Sequence, residues 1–128
     1  MAQLNLILLK DRLAIRRLIA DETIPEWASN GGGFHSVTRT ADELSIVCEE
    51  NVVPPDVKRE RAWRIFKIEG PFDFAATGIL VSAVAPLAKA GVPIFAISTF
   101  DTDYVLVKEE RAEDAVRALE SAGHCVKE

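Results

Sequence analysis

The stretch WRIFKIEGPFDFAATGILVSAVAPLAKAGVPIFAISTFDTDYVLVKEERAEDAVRALESAGHCV, residues 63–126, decides the fold. Its opening run, WRIFKIE, is apolar and β-branched enough to be a strand. Ile79, Leu80, Ala83, Val84, Leu87 and Ala90 then recur at helical spacing, which predicts a helix over Gly78–Ala90 with Thr77 as N-cap. Gly91 followed by Pro93 ends it. Pro86 lies inside this helix and removes the bond to the Ser82 carbonyl, so a bend or a loosened turn is expected unless a side chain compensates. Strands follow at Ile94–Ser98 and Tyr104–Lys108, too apolar to alternate, joined by a short hairpin connection at Thr99–Thr102. A second helix carries Ala112, Ala115, Val116, Leu119 and Ala122 on one stripe, pairs Glu113 with Arg117 on the wet side, and stops at Gly123. HCV closes the series as a last strand.

The order is β-α-β-β-α-β, which defines an α+β, ferredoxin-like module with an antiparallel sheet and its helices on one face. Working outward, GGFHSVTRTADELSIVCEE (32–50) lies on VPIFAISTFDTDYVLVKEE (92–110) at a constant offset of 60 residues. Val47/Val107, Glu49/Glu109 and Glu50/Glu110 are identical in that alignment, and strand, turn and strand all repeat. Upstream, RLAIRRL (12–18) is the counterpart of WRIFKIE, so the first helix shrinks to a turn around Pro25, Glu26, Trp27 and Ala28. Between Glu50 and Trp63, interrupted by Pro54 and Pro55, there is no room for a second helix and a last strand. Leu4–Leu9 is therefore expected to hairpin onto Leu13–Leu18 and take the place of the missing strand. The chain divides on this reading into an abridged N-terminal module, residues 1–60, and a complete C-terminal module, residues 61–128.

A chain of 128 residues, 48% hydrophobic and 27% charged, has the composition of a compact protein, not of a disordered one. Its net charge of −5 repels a phosphate backbone, and no Lys/Arg stripe overcomes that, so nucleic acid is not an expected partner. The apolar run Leu4–Leu9 is too short for a bilayer and no signal-peptide pattern follows it; a cytoplasmic protein without a membrane partner is expected. Cys48 and Cys125 share no CxxC spacing and read as buried free thiols. No GxSxG, HExxH, GxxxxGK[ST] or GxGxxG is present, and Gly31–Gly33 reads as a plain loop, so no enzyme is expected. His35 and His124 have no partner at ligand spacing, which argues against a metal; no cofactor is expected. Phe72, Phe74, Trp27 and Trp63 read first as core or dimer contacts. Asp101 and Asp103 would be a pair for acid and base work, but no nucleophile or electrophile accompanies them.

The segment from Pro71 to His124, and STFDTDY (98–104) followed by VLVKEE above all, resembles the tandem ACT-domain proteins, the CASTOR-type arginine sensors and their small bacterial relatives. FHSVTRTADELSIVCEE (34–50) extends the resemblance into the first half. It implies two ACT modules in tandem, the first abridged, with an amino acid held between modules near the loop joining the first strand to the first helix. Carried onto this chain, the ligand residues are Phe72, Thr77, Gly78, Ile79, Ser98, Thr99, Asp101, Thr102 and Asp103. The residues agree on physical grounds: N–H groups of Gly78, Ile79 and Leu80 at a helix start suit a carboxylate. Asp101 and Asp103, with the Ser98 and Thr102 hydroxyls, can accept an ammonium or a basic side chain. Asp and Thr in a turn also bond their own backbone, and Gly78 also permits close backbone approach, so those roles stay open. The function expected is a non-catalytic regulatory sensor, a homodimer with an amino-acid-like ligand and a regulated protein partner. The alternative is a structural oligomerisation or interaction module without an effector.

Overall fold

A computed structural model of the chain describes residues 3–73 and 75–128, Arg61 by its backbone alone. Phe74, expected as a core or dimer contact, lies outside the described residues. By contact density the chain forms two units, one of Asp11–Trp63 and the other of the residues up to Lys10 together with Arg64–Glu128. Two strands, β1 (Asn5–Leu18) and β4 (Glu60–Ile68), contribute to both.

In the unit of residues 11–63, β2 (Ser36–Arg39) and β3 (Leu44–Glu49) form a hairpin, and β3 pairs antiparallel with the second half of β1, from Leu13↔Glu49 to Leu18↔Leu44. A 3-10 turn at Glu26–Ser29 stands where a full module would have its first helix. Ala14, Ala28, Leu44, Ile46, Cys48 and Val53 make the core of this unit, with Trp27 packed against it.

The other unit has β4, α1 (Ile79–Lys89), β5 (Phe95–Ser98), β6 (Asp103–Lys108), α2 (Ala112–Ser121) and β7 (Cys125–Lys127), the expected order. Alternate residues of its strands, Leu6 and Leu8, Phe66 and Ile68, Val105 and Val107, share one core with Ala83 and Leu87 of α1 and Ala115 and Leu119 of α2. Both helices therefore cover the same sheet face. Each helix ends in the same way: Gly91 (φ 75°) and Gly123 (φ 96°) take the left-handed conformation. Val92 N–H then reaches back to the Leu87 carbonyl at 2.9 Å, and His124 N–H to that of Leu119 at 3.1 Å.

Several expectations are corrected. Leu4–Leu9 does not hairpin onto Leu13–Leu18, because Lys10, Asp11 and Arg12 continue a single 14-residue strand. None of the three is the glycine that two-residue hairpin turns favour, and Asp11 is followed by Arg12 instead. The first half of β1 instead lies between β4 and β7. Its pairing with β7 is parallel, Asn5↔Cys125 to Ile7↔Lys127, an exception to the expected antiparallel sheet. The repeat is also off by one. Arg39↔Leu44 and Ser98↔Asp103 close the two hairpins, and the 3-10 turns Glu50–Val52 and Glu109–Arg111 follow them, so equivalent positions stand 59 apart and not 60. The identities at 60 place residues of opposite sheet faces together. Arg117 pairs with Asp114 and not with Glu113. Cys48 is buried, as expected, but Cys125 is exposed; both are free.

Pro86 sits within α1 without ending it, and the Ala90 N–H bonds to the Pro86 carbonyl at 3.0 Å. The compensation comes from His124, a residue whose part in the fold no local pattern announces. Its Nε2 donates to the Ser82 carbonyl at 2.7 Å. Its Nδ1 accepts the Leu4 N–H at 3.0 Å, which fixes the neutral ring as the Nε2–H tautomer.

Candidate functional site

The start of α1 is built by local chemistry. Asp73 folds the preceding loop, its Oδ1 accepting the Ala75 N–H at 2.8 Å and its carbonyl the Ala76 N–H at 2.9 Å. Gly78, and not Thr77, is the N-cap, at φ 80° and ψ 0°. Among the described residues of the chain nothing lies within 4 Å of a Cβ built there, so within the chain the glycine serves the left-handed backbone. Without a capping side chain, the N–H groups of Gly78, Ile79 and Leu80 have no acceptor within the helix, and they stand at the positive end of its dipole.

Opposite stands the β5–β6 turn. Thr99 closes it twice, N–H to the Thr102 carbonyl at 2.8 Å and hydroxyl to the same oxygen at 3.1 Å. The Ser98 hydroxyl donates to Asp103 Oδ1. The Phe72 N–H donates to the Asp101 carbonyl at 2.9 Å, which ties the loop after β4 to the turn.

These segments enclose an open hollow of about 380 Å³. Phe72, Gly78, Ile79, Ser98, Thr99, Asp101, Thr102 and Asp103 line it, and so do Asp73, Ala76, Leu80 and Phe100. Thr77 is exposed and not among them. Thr102 differs from the role sketched for it, because its hydroxyl is turned inward to the Ile68 carbonyl at 2.5 Å. Asp73 and Phe100 fall within the segments 70–79 and 98–103 that the resemblance implicates, though neither is among the ligand residues carried over; the Asp-x-Ala turn before the helix is a local signal for the former. Asp73, Asp101 and Asp103 give the lining three carboxyl groups and no Lys or Arg. A second hollow, between α1 and α2, is walled by Ala85, Pro86, Ala90, Ala118 and Ala122, with Lys89 and Ser121 as its polar groups. Among the described residues no group of three His, Cys, Asp or Glu gathers at metal-binding distance. Among the described residues no helix is long and apolar enough to cross a membrane.

Fold and hollow together define a ferredoxin-like α+β module with a polar recess at the start of its first helix. The chain belongs to the ACT domain family, whose model matches residues 58–121. A second model, for an N-terminal domain, matches residues 11–56. An Agrobacterium tumefaciens protein of known crystal structure is 45% identical, with a TM-score of 0.91, over 98% of this chain and 93% of that one. The regulatory subunit of aspartate kinase from Thermus thermophilus shares the fold at 17% identity and a TM-score of 0.61, over 91% of this chain and 96% of that one. The cytosolic arginine sensor for mTORC1 subunit 1 of Bos taurus is 28% identical over 97 residues, 67% of this chain and 30% of the sensor. The chain thus spans about a third of the length of that relative.

Proposed function

We propose that this protein is a non-catalytic regulatory sensor that binds an amino acid in the hollow between the α1 N-terminus and the β5–β6 turn. The observation that carries the reading is the opposition of two unlike walls. Helix N–H groups without an acceptor inside the helix, on one side, suit an α-carboxylate, while Asp101 and Asp103 on the other suit an α-ammonium or a cationic side chain. Three carboxyl groups and no basic residue favour arginine or lysine over acidic amino acids. The likeness to an arginine sensor supports the same choice. The hollow is open on one side, and we assign its cover to a module of a second copy, in a homodimer whose altered surface a protein partner reads. A ligand shifts that equilibrium only as far as it prefers one arrangement.

A thermal-shift screen of the twenty amino acids tests the reading, since a binder raises the midpoint as its concentration exceeds the dissociation constant. Arginine or lysine raises it in the wild type, and Asp103→Asn, which keeps an acceptor for Ser98 but removes the charge, weakens the response at least tenfold. No response to any amino acid, or an unchanged response in Asp103→Asn, overturns it. One feature favours a second reading, an interaction module without an effector: Phe100 at the tip of the turn is 77% exposed. A dimer that forms equally well with and without every amino acid is the outcome that reading requires.

A further inference from the structure

We infer that Thr102 is a positioning residue: its buried hydroxyl clamps the β5–β6 turn to the end of β4 and so sets the frame in which the hollow's acidic wall meets its ligand. The inference deepens the proposed function and rests on it for the ligand arm of its test.

Thr102 is only 6% exposed although it belongs to a surface turn, and its Oγ1 donates to the Ile68 carbonyl at 2.5 Å. Ile68 is the last residue of β4 and fully buried. Two further contacts bind the same parts. The Phe72 N–H meets the Asp101 carbonyl at 2.9 Å, and a Cβ on Gly70 would lie 3.0 Å from that same oxygen. The turn, the strand end and the loop that carries Phe72 and Asp73 are thereby held as one body. A hydroxyl sequestered in this way is not offered to a ligand, and its loss leaves a buried carbonyl without its donor.

The other unit supplies an internal comparison. Its turn, Thr40–Glu43, closes with the same pair of bonds, Thr40 N–H to the Glu43 carbonyl at 2.9 Å and Thr40 hydroxyl to that oxygen at 3.5 Å. The carbonyl equivalent to that of Asp101 is also tied, but by an exposed side chain, Arg17 Nη2 to Asp42 O at 2.9 Å. Where the second turn has Thr102, the first has Glu43, half-exposed and 4.0 Å from Arg17 Nε. The two turns share their closing bonds and differ in how they are anchored: a solvent-screened ion pair in one, a buried hydroxyl in the other. The turn that lines the hollow is the one with the rigid anchor.

Thr102→Val removes the hydroxyl at nearly constant shape, and Thr102→Ser keeps it. Amide exchange of Phe72, read without any ligand, is expected to speed up at least tenfold in Thr102→Val and less than threefold in Thr102→Ser. The Val92 and His124 amides, bonded at the far ends of the helices, serve as controls and keep their rates. Arginine and lysine, the probes used, are expected to bind Thr102→Val at least tenfold more weakly and Thr102→Ser within twofold of the wild type. Unchanged Phe72 exchange in Thr102→Val overturns the clamp, and so does a loss of binding that Ser fails to rescue. Wild-type protein that binds neither probe refutes the sensor reading instead, while the exchange arm still decides the clamp.

Discussion

The two cysteines differ only by where their side chains end up. Cys48 is 1% exposed within the core of its unit, whereas Cys125 lies exposed on β7, where Gln3 Nε2 reaches its Sγ at 3.4 Å. A thiol reagent is therefore expected to modify one thiol quickly in the native protein and the second only on unfolding, with mass mapping placing the first at Cys125. Burial pushes the Cys48 thiol up, with the Arg59 charge opposing and Glu49 adding to it. The native state then holds this proton more tightly than the unfolded chain does. Its contribution to stability is complete below the unfolded thiol's value of about 8.5 and is lost as pH rises from there through the raised native value. Urea unfolding across that alkaline range should show a shallower decline in Cys48→Ala than in the wild type; equal slopes would refute the assignment.

At the scale of elements, α1 illustrates how a locally unfavourable residue is accommodated from a distance. Pro86 cannot donate to the Ser82 carbonyl, and the imidazole of His124, 42 residues away, does so. The same ring receives the Leu4 N–H, so one side chain joins α1, the start of β1 and the approach to β7. His124→Phe is expected to cost about 1–3 kcal/mol for each buried group it leaves unpaired. In a Pro86→Ala background the helix regains its own donor to Ser82, and the cost of His124→Phe should fall by about 1 kcal/mol. Additive unfolding free energies in that double-mutant cycle would show that the two residues are not coupled. The helix was legible in the sequence through its apolar period and its glycine stop, both local. Its N-cap was misread because Thr77 has the right chemistry at a position where the chain needs a positive φ, which Gly78 provides.

For the whole molecule, residues 3–10 belong with the last half. Leu4, Leu6 and Leu8, at 4%, 1% and 5% exposure, are part of the same core as Phe66, Leu87 and Leu119. Each buried leucine is worth about 2–5 kcal/mol against alanine, so three of them rival the about 5–15 kcal/mol that stabilises an ordinary domain. A fragment of residues 61–128 is therefore expected to lack a cooperative thermal transition by circular dichroism, although it contains nearly all of the region that the ACT model matches. A sharp, reversible melt of that fragment would show that β1 is dispensable.

Periodicity, glycine and proline punctuation and the repeated turn are properties of neighbouring residues, and from them the sequence determined the β-α-β-β-α-β order and the shrunken first helix, while the segments around the hollow came from the family resemblance of those same residues. The partners of β1, the 59-residue register, the inward turn of the Thr102 hydroxyl and the part played by His124 were decided only by the tertiary structure. An extended segment offers the same N–H and C=O groups to any neighbour, and a hydroxyl or imidazole the same donor to any carbonyl. Which partner each one meets depends on which apolar faces are buried together, and that is settled by residues far apart in the chain.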